Sequence, residues 1–161
     1  KKKNIENIKK KKNFKFKKID ISKPFKLNQE FEAILHFAAQ PGVRYTIENP
    51  LSYLSSNIVG TFNILEFAKK NRIKNLIIAS SSSVYGLNKI KNGFKENQLV
   101  DKPMQIYSVS KITNELMSFS YTYLNNMKIV ALRFFSVYGP WGRPDMAVYK
   151  FCESISKKKK N

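Results

Sequence analysis

Three short apolar runs, separated by long stretches of helical periodicity, constrain this chain more than any other feature. Residues 33–39 are apolar except for His36, residues 75–80 repeat the pattern of a buried strand, and residues 128–135 supply a third. Between the first two, residues 42–70 read as largely helical, interrupted at Pro50 because proline cannot donate to the helix ladder. After Pro50, Leu51, Leu54, Ile58, Phe62, Leu65 and Ala68 recur at helical spacing and form one apolar face. Residues 104–125 predict a second long helix. Continuous apolar strands alternating with helices imply parallel pairing through right-handed crossovers. The expectation is an α/β fold with a doubly wound parallel sheet.

The flanks carry weaker signals. Residues 14–21 alternate apolar and polar, through Phe14, Phe16 and then Ile19 or Ile21, which predicts a strand ending at Asp20. Residues 1–12 are basic with helical character, and Ile5 and Ile8 fall on one side. Residues 24–30 read as a turn or short helix, and residues 86–103 as a loop. Gly139, Pro140, Gly142 and Pro144 require an ordered turn series at 138–144, and residues 146–156 start another helix.

The formal net charge of +19 raises the question of a polyanionic partner. Much of the lysine sits in two runs, at 1–18 and 157–160, beside abundant asparagine and isoleucine. A compositional bias is favoured over a specific nucleic-acid partner. Cys152 stands alone, so an intrachain disulfide is excluded and a reducing, cytoplasmic setting is expected. No apolar run approaches the roughly 20 residues of a membrane span. A length of 161 residues suits one domain.

The chemistry concentrates at 80–111. The strand at 76–79 runs into Ser80, Ser81, Ser82, Ser83, Val84, Tyr85 and Gly86. Parallel sheets bind ligands beyond the carboxyl ends of their strands, where hydroxyls can hydrogen-bond a substrate alcohol. Taken alone, a solvated serine loop is the plainer account. Tyr107 and Lys111 alter the balance. Four residues apart on the predicted helix, they share a face. A cation beside a phenol favours the phenolate, making it a usable base near neutral pH.

Ser81, Tyr107 and Lys111 resemble the Ser/Thr-Tyr-x-x-x-Lys triad of the short-chain dehydrogenase/reductase superfamily. Its extended branch, the NAD-dependent epimerases and dehydratases, is indicated by His36-Phe37-Ala38-Ala39-Gln40, similar to the segment beside the nicotinamide. Asn57-Ile58-Val59-Gly60-Thr61 resembles the helix whose asparagine holds the active-site region, and Asp20-Ile21 the strand end that contacts adenine. Three segments are most similar to UDP-glucuronate 4-epimerases: residues 40–45, residues 80–86, and residues 133–146, which read Arg-Phe-Phe-Ser-Val-Tyr-Gly-Pro-Trp-Gly-Arg-Pro-Asp-Met. The likeness spans about residues 14–151.

The resemblance implies a partial Rossmann-type NAD-binding domain over residues 1–161. Residues 1–13 and 157–161 would be basic ends, and 136–161 the start of a substrate-binding region. It implies NAD-dependent epimerisation of a UDP-sugar at C4 through a transient 4-keto intermediate. Tyr107 would be base and then acid, Lys111 would bind the nicotinamide ribose, and Ser81 would hold the C4 oxygen with Ser82 or Ser83 assisting. The cofactor positions would be Asp20, Ile21, Phe37, Ala38, Ala39, Asn57, Ala79, Tyr107, Lys111 and Phe134, with no metal. Ser136 and Arg143 would hold the sugar carboxylate, a role that suits the planar guanidinium fork. By itself Arg143 reads as a loop charge, and the family usually has threonine at Ser136. His36, the only histidine, is read as a hydrogen-bonded strand-end residue rather than a catalytic one. Arg44 serves either a diphosphate or a loop ion pair, and Trp141 packs its loop. Helices after Pro50 and at 104–125 correspond to the pair that dimerises in similar enzymes, so a homodimer is expected.

One family element is missing from these 161 residues: no Gly-x-x-Gly-x-x-Gly turn occurs. The expectation is therefore the middle of a longer enzyme, starting before the third strand and lacking the first glycine-rich βαβ unit. The strand at 33–39 would then be an exposed apolar edge, and the 161 residues alone would be weakly stable and inactive. Related dehydratases usually carry an acidic pair where Ser82 and Ser83 stand, which argues against dehydration. A basic polyanion-binding module without catalysis is the remaining alternative.

Overall fold

The computed structural model describes residues 3–42, 45–88, 93–140 and 142–157. In chain order its elements are α1 (Lys3–Lys9), β1 (Ala33–His36), α2 (Tyr45–Glu48), α3 (Leu51–Tyr53), α4 (Gly60–Lys70), β2 (Asn75–Ser81), α5 (Ile106–Asn125), β3 (Lys128–Phe134) and α6 (Ala147–Ser156). A π-helical segment, Leu54–Val59, joins α3 to α4, and a 3-10 turn, Ser82–Tyr85, follows β2. The chain divides into two compact units: residues 19–134, and residues 1–18 with 135–161.

The larger unit is built on a parallel sheet in the order β1-β2-β3. Ala33 lies opposite Asn75 in β1–β2, and Ile77 opposite Val130 in β2–β3. The helices between these strands supply the crossovers that parallel pairing demands. The apolar core gathers Leu65, Phe67, Ala68, Ile73, Leu76 and Met127, with Phe25, Ile34, Met117 and Ile129 packed against it. Pro50 caps the start of α3, where its missing N–H costs nothing. The left-handed Asn126 ends α5 and leads directly into β3.

β1 is an edge strand, and Leu35 is 62 % exposed there, as expected for this apolar run. The run stops pairing at His36, shorter than the 33–39 predicted.

The strand predicted at 14–21 does not form; residues 14–20 have no regular structure. Alternation supplies propensity, but a strand exists only where a partner edge satisfies its backbone groups. Here Phe16 instead sits under the Lys9 ammonium, 4.8 Å from the ring centroid. Further on, Lys23 N donates to Asp20 O in a turn. The smaller unit also contains α1 and α6; no residue of α6 is buried within it.

Candidate active site

α5 packs against β2, β3, the 3-10 turn and the π-helical segment, so one helix face reaches every element around the carboxyl end of β2. That face is polar. Ser108, Ser110, Lys111, Asn114 and Ser118 are its buried residues.

Lys111 is 4 % exposed, and its Nζ donates to Ala79 O at 2.7 Å. The same nitrogen lies 5.9 Å from the centroid of the Tyr107 ring. Burial holds the ammonium below its ordinary range, to about 8. Tyr107 is half-buried, and its ring meets that of buried Tyr53 edge-on, with centroids 6.1 Å apart. Tyr53 is held in turn by its hydroxyl, which donates to Gly42 O at 2.7 Å.

Ser81 is the last residue of β2 and caps the 3-10 turn, its Oγ accepting from Ser83 N at 3.2 Å. The Ser83 hydroxyl lies 3.0 Å from the same oxygen. Ser83 thus orients Ser81, and Ser82 begins the turn. Gly86 ends it with φ +52°, where a Cβ would stand 1.9 Å from Lys102 O. Only glycine admits this close approach, which folds the 93–103 loop back onto the turn.

Asn57 is fully buried in the π-helical segment. Its Oδ1 accepts from Gln40 N at 2.7 Å, and its Nδ2 donates to Gln40 O at 3.2 Å and Ser110 Oγ at 3.0 Å. The chain after β1 is therefore tied to α5. Phe37 and Phe134, following β1 and ending β3, meet edge-on at 6.1 Å, each partly exposed. Ala38 is exposed and Ala39 half-buried beside them in the chain. Asp20 is exposed; its Oδ1 accepts from Ser22 N and Ser22 Oγ, bonds that lower its carboxyl below the ordinary value. Ile21 presses on α4 where a Cβ on Gly60 would be 2.9 Å from its Cδ1, and Ile21 O accepts from Asn63 Nδ2.

His36 is buried and shares a 3.0 Å hydrogen bond with Thr61 Oγ1. Burial and the nearby Lys111 charge hold its ring down to about 4. It is a hydrogen-bonded strand-end residue, as the sequence suggests.

Ser136 and Arg143 belong to the smaller unit. Ser136 is exposed. Arg143 pairs with Asp145 and lines a cavity of about 240 Å³ with Tyr138, Met146, Tyr149 and Cys152. Arg44 and Trp141 lie outside the described residues.

Sequence reasoning missed a second polar cluster. Ser80 donates through Oγ to Glu115 Oε1. Arg133 grips the same carboxylate from Nε at 3.0 Å and Nη2 at 2.8 Å. Glu115 stands four residues beyond Lys111, so the spacing that joined Tyr107 to Lys111 also pointed to it. Among the described residues, no group of three or more His, Cys, Asp and Glu side chains is placed to hold a metal ion.

A parallel sheet with helical crossovers, and with polar side chains gathered at the carboxyl end of its middle strand, defines a Rossmann-like α/β protein. The chain belongs to the NAD dependent epimerase/dehydratase family, whose profile matches residues 1–161. It is 50 % identical over 151 residues to the protein CapI of Staphylococcus aureus, covering 90 % of this chain and 45 % of that one. It is 50 % identical over 126 residues to a probable UDP-glucuronate 4-epimerase of Rhizobium meliloti, covering 78 % of this chain and 37 % of that one. The structure superposes on UDP-glucuronic acid 4-epimerase from Bacillus cereus, solved with UDP-glucuronic acid and NAD. The TM-score is 0.82 at 32 % identity, over 98 % of this chain and 50 % of that one. The chain spans about half the length, or less, of the relatives it matches.

Proposed function

We propose that this protein acts as an NAD-dependent UDP-sugar 4-epimerase of the UDP-glucuronate/UDP-galacturonate type. The observation that carries the reading is the buried Lys111 ammonium. It is fixed to Ala79 O at the carboxyl end of β2 and faces the Tyr107 ring. The likeness to UDP-glucuronate epimerases supports the sugar class.

The side chains fit a dinucleotide in kind. Asp20 has both of its hydrogen bonds on Oδ1, which leaves Oδ2 to accept from an adenine amine. Asn57 shapes the backbone after β1, where Phe37, Ala38 and Ala39 would flank the cofactor with Ala79 and Phe134. Lys111 would donate to the nicotinamide ribose. When bound, the nicotinamide supplies a hydride acceptor and then a donor.

The chain's own residues handle the proton. Tyr107, as the phenolate that the Lys111 charge favours, takes the C4 hydroxyl proton and becomes the neutral phenol, and it later returns that proton and is again the phenolate. Ser81 Oγ, already accepting from Ser83 N, keeps its own proton to donate to the C4 oxygen. Ser82 and Ser83 line the same turn. In the smaller unit, Ser136 and Arg143 would receive the sugar carboxylate. Residues 1–161 are read as one partial NAD-binding domain, with 136–161 opening the substrate-binding region. With no glycine-rich phosphate turn in them, these residues alone are inactive.

Several apolar side chains of α5 are left uncovered. Leu116 and Phe119 are 66 % and 73 % exposed, and Leu54 and Phe62 on the neighbouring helical stretch are also exposed. Such a face on two adjacent helices supports a homodimer of the complete gene product. Among the described residues no helix is long and apolar enough to cross a membrane, and a cytoplasmic enzyme is the accompanying proposal.

The test is an assay of the complete gene product with NAD and UDP-glucuronate, following UDP-galacturonate by chromatography. Turnover is expected, with a loss of about 100-fold or more in Tyr107→Phe. Full activity in Tyr107→Phe overturns the mechanism. Activity only on UDP-glucose would move the sugar assignment, and dehydration of UDP-glucose to a 4-keto-6-deoxy sugar would replace epimerisation.

A further inference from the structure

Glu115 takes no part in the chemistry proposed above, yet it sits at the centre of the least exposed ion pair among the described residues. Its side chain is 14 % exposed and that of Arg133 is 16 %. Three elements converge on this one carboxylate. β2 contributes the Ser80 hydroxyl, β3 contributes the Arg133 fork, and α5 carries Glu115 itself. The hydrogen bonds that Arg133 donates to Glu115 raise its guanidinium above its already high range.

Arg133 extends the cluster outward. Its Nη1 donates to Glu96 O at 3.1 Å, and its guanidinium carbon lies 4.9 Å from the centroid of the Tyr85 ring. Tyr85 ends the 3-10 turn and stacks on Phe94, with ring centroids 4.2 Å apart. The turn that begins after Ser81 and the loop that closes over it are therefore both anchored through Arg133 to Glu115.

The placement along α5 gives this anchor its meaning. Tyr107, Lys111 and Glu115 succeed one another by four residues, one helical turn each. Lys111 grips the carbonyl of Ala79, and Glu115 grips the hydroxyl of Ser80. Two consecutive residues of β2, immediately before Ser81, are thus bound to two consecutive turns of one helix. This double attachment sets how far β2 can slide or rotate against α5. With it, it sets the position of the Ser81 hydroxyl relative to the Tyr107 phenol.

We propose that Glu115 is a positioning residue for the Ser81–Tyr107 pair: through Ser80 and Arg133 it holds the end of β2 and the 82–85 turn in register with α5. The inference rests on the epimerase reading for its catalytic consequence, but not for its structural one.

The experiment uses the complete gene product as wild type, Glu115→Gln and Ser80→Ala. Glu115→Gln keeps the side-chain shape and weakens the grip on Arg133; Ser80→Ala removes one hydroxyl and leaves the ion pair. Two readouts are compared: kcat and KM on the UDP-sugar, and backbone amide exchange. For Glu115→Gln, kcat should fall on the order of 10- to 100-fold with KM within about twofold, because misplacement acts on the reacting geometry. Exchange at 82–88 should quicken on the order of tenfold while that of β1 stays at the wild-type rate. Ser80→Ala should show the same pattern to a smaller degree, and it alone is read if Glu115→Gln does not fold. Wild-type kcat with wild-type exchange at 82–88 overturns the proposal. So does faster exchange spread evenly over β1, β2 and β3, which would mark Glu115 as a general support of the fold. If the wild-type protein turns over no UDP-sugar, the epimerase reading fails, and the exchange pattern still decides the role of Glu115.

Discussion

Asn57 Nδ2 donates to Ser110 Oγ at 3.0 Å across 53 residues of sequence, and the Ser110 hydroxyl donates onward to Tyr107 O at 2.7 Å. The carbonyl of Tyr107 is thus connected through two buried side chains to the backbone of Gln40, on the segment leaving β1. The π-helical segment carrying Asn57 widens the helix at this point. Such insertions often occur at functional sites.

Replacing Asn57 with alanine strands the Gln40 N–H and C=O, which lose their side-chain partner. The expected loss of stability is about 2–4 kcal/mol, from buried polar groups left unsatisfied. Urea unfolding of the complete gene product measures it. A variant within about 0.5 kcal/mol of wild type, the range of an ordinary surface change, would show that water replaces the amide at no cost.

His36 makes stability depend on pH in a defined window. Its folded value of about 4 lies below the ordinary 6.5. The unfolded chain therefore binds this proton first as pH falls, and stability drops between pH 6.5 and 4. Above 6.5 the group contributes no slope. The full loss is about 3 kcal/mol, at about 1.4 kcal/mol per unit. Lys111 has the same sign at higher pH: with a folded value of about 8 against 10.5, stability rises between those two values. Unfolding free energies of wild type and His36→Gln, compared from pH 4 to 7, isolate the histidine. Parallel curves would contradict the assignment.

Gly86 combines a positive φ with a Cβ position 1.9 Å from Lys102 O. Gly86→Ala must displace backbone as well as side chains. The expected destabilisation is about 3 kcal/mol, among the larger effects of a single substitution. It should be accompanied by faster exchange at Leu87, whose N–H donates to Lys102 O at 3.2 Å. Gly93, with open space around its Cβ position, is the control: its φ of +82° leaves only the intrinsic strain of about 1 kcal/mol.

Phe119 is 73 % exposed on α5. If the apolar face of α5 joins two copies, Phe119→Lys should convert a dimer to a monomer in sedimentation velocity, since an unpaired charge would have to enter a desolvated interface. A wild-type protein that sediments as a monomer would remove the dimer from the proposal.

The strands at 75–81 and 128–134 and the long helices were legible because a continuous apolar run and a 3.6-residue periodicity are both local signals. The Tyr107–Lys111 juxtaposition was legible for the same reason: four residues on a helix is a distance that sequence alone specifies. At residues 14–21 the same local reasoning failed. Alternation there is as good as in many strands, but a strand depends on a neighbour that no local pattern reports.

What the sequence determined by itself is therefore the order of the three paired strands and the long helices between them, the serines at the end of β2 and the placement of Tyr107 and Lys111 on one face of α5. Tertiary structure decided the rest. Toward the carboxyl end of β2 the inward face of α5 is polar, with Ser110, Lys111 and Asn114 buried, while Leu116 and Phe119 stay exposed. Arg133 meets Glu115 rather than solvent, and Asn57 reaches both Gln40 and Ser110. The physical reason is range. Hydrophobic periodicity and helical spacing act within one element, whereas a buried ion pair or amide bridge exists only after distant segments have docked, and each partner is stable there only because the other is present.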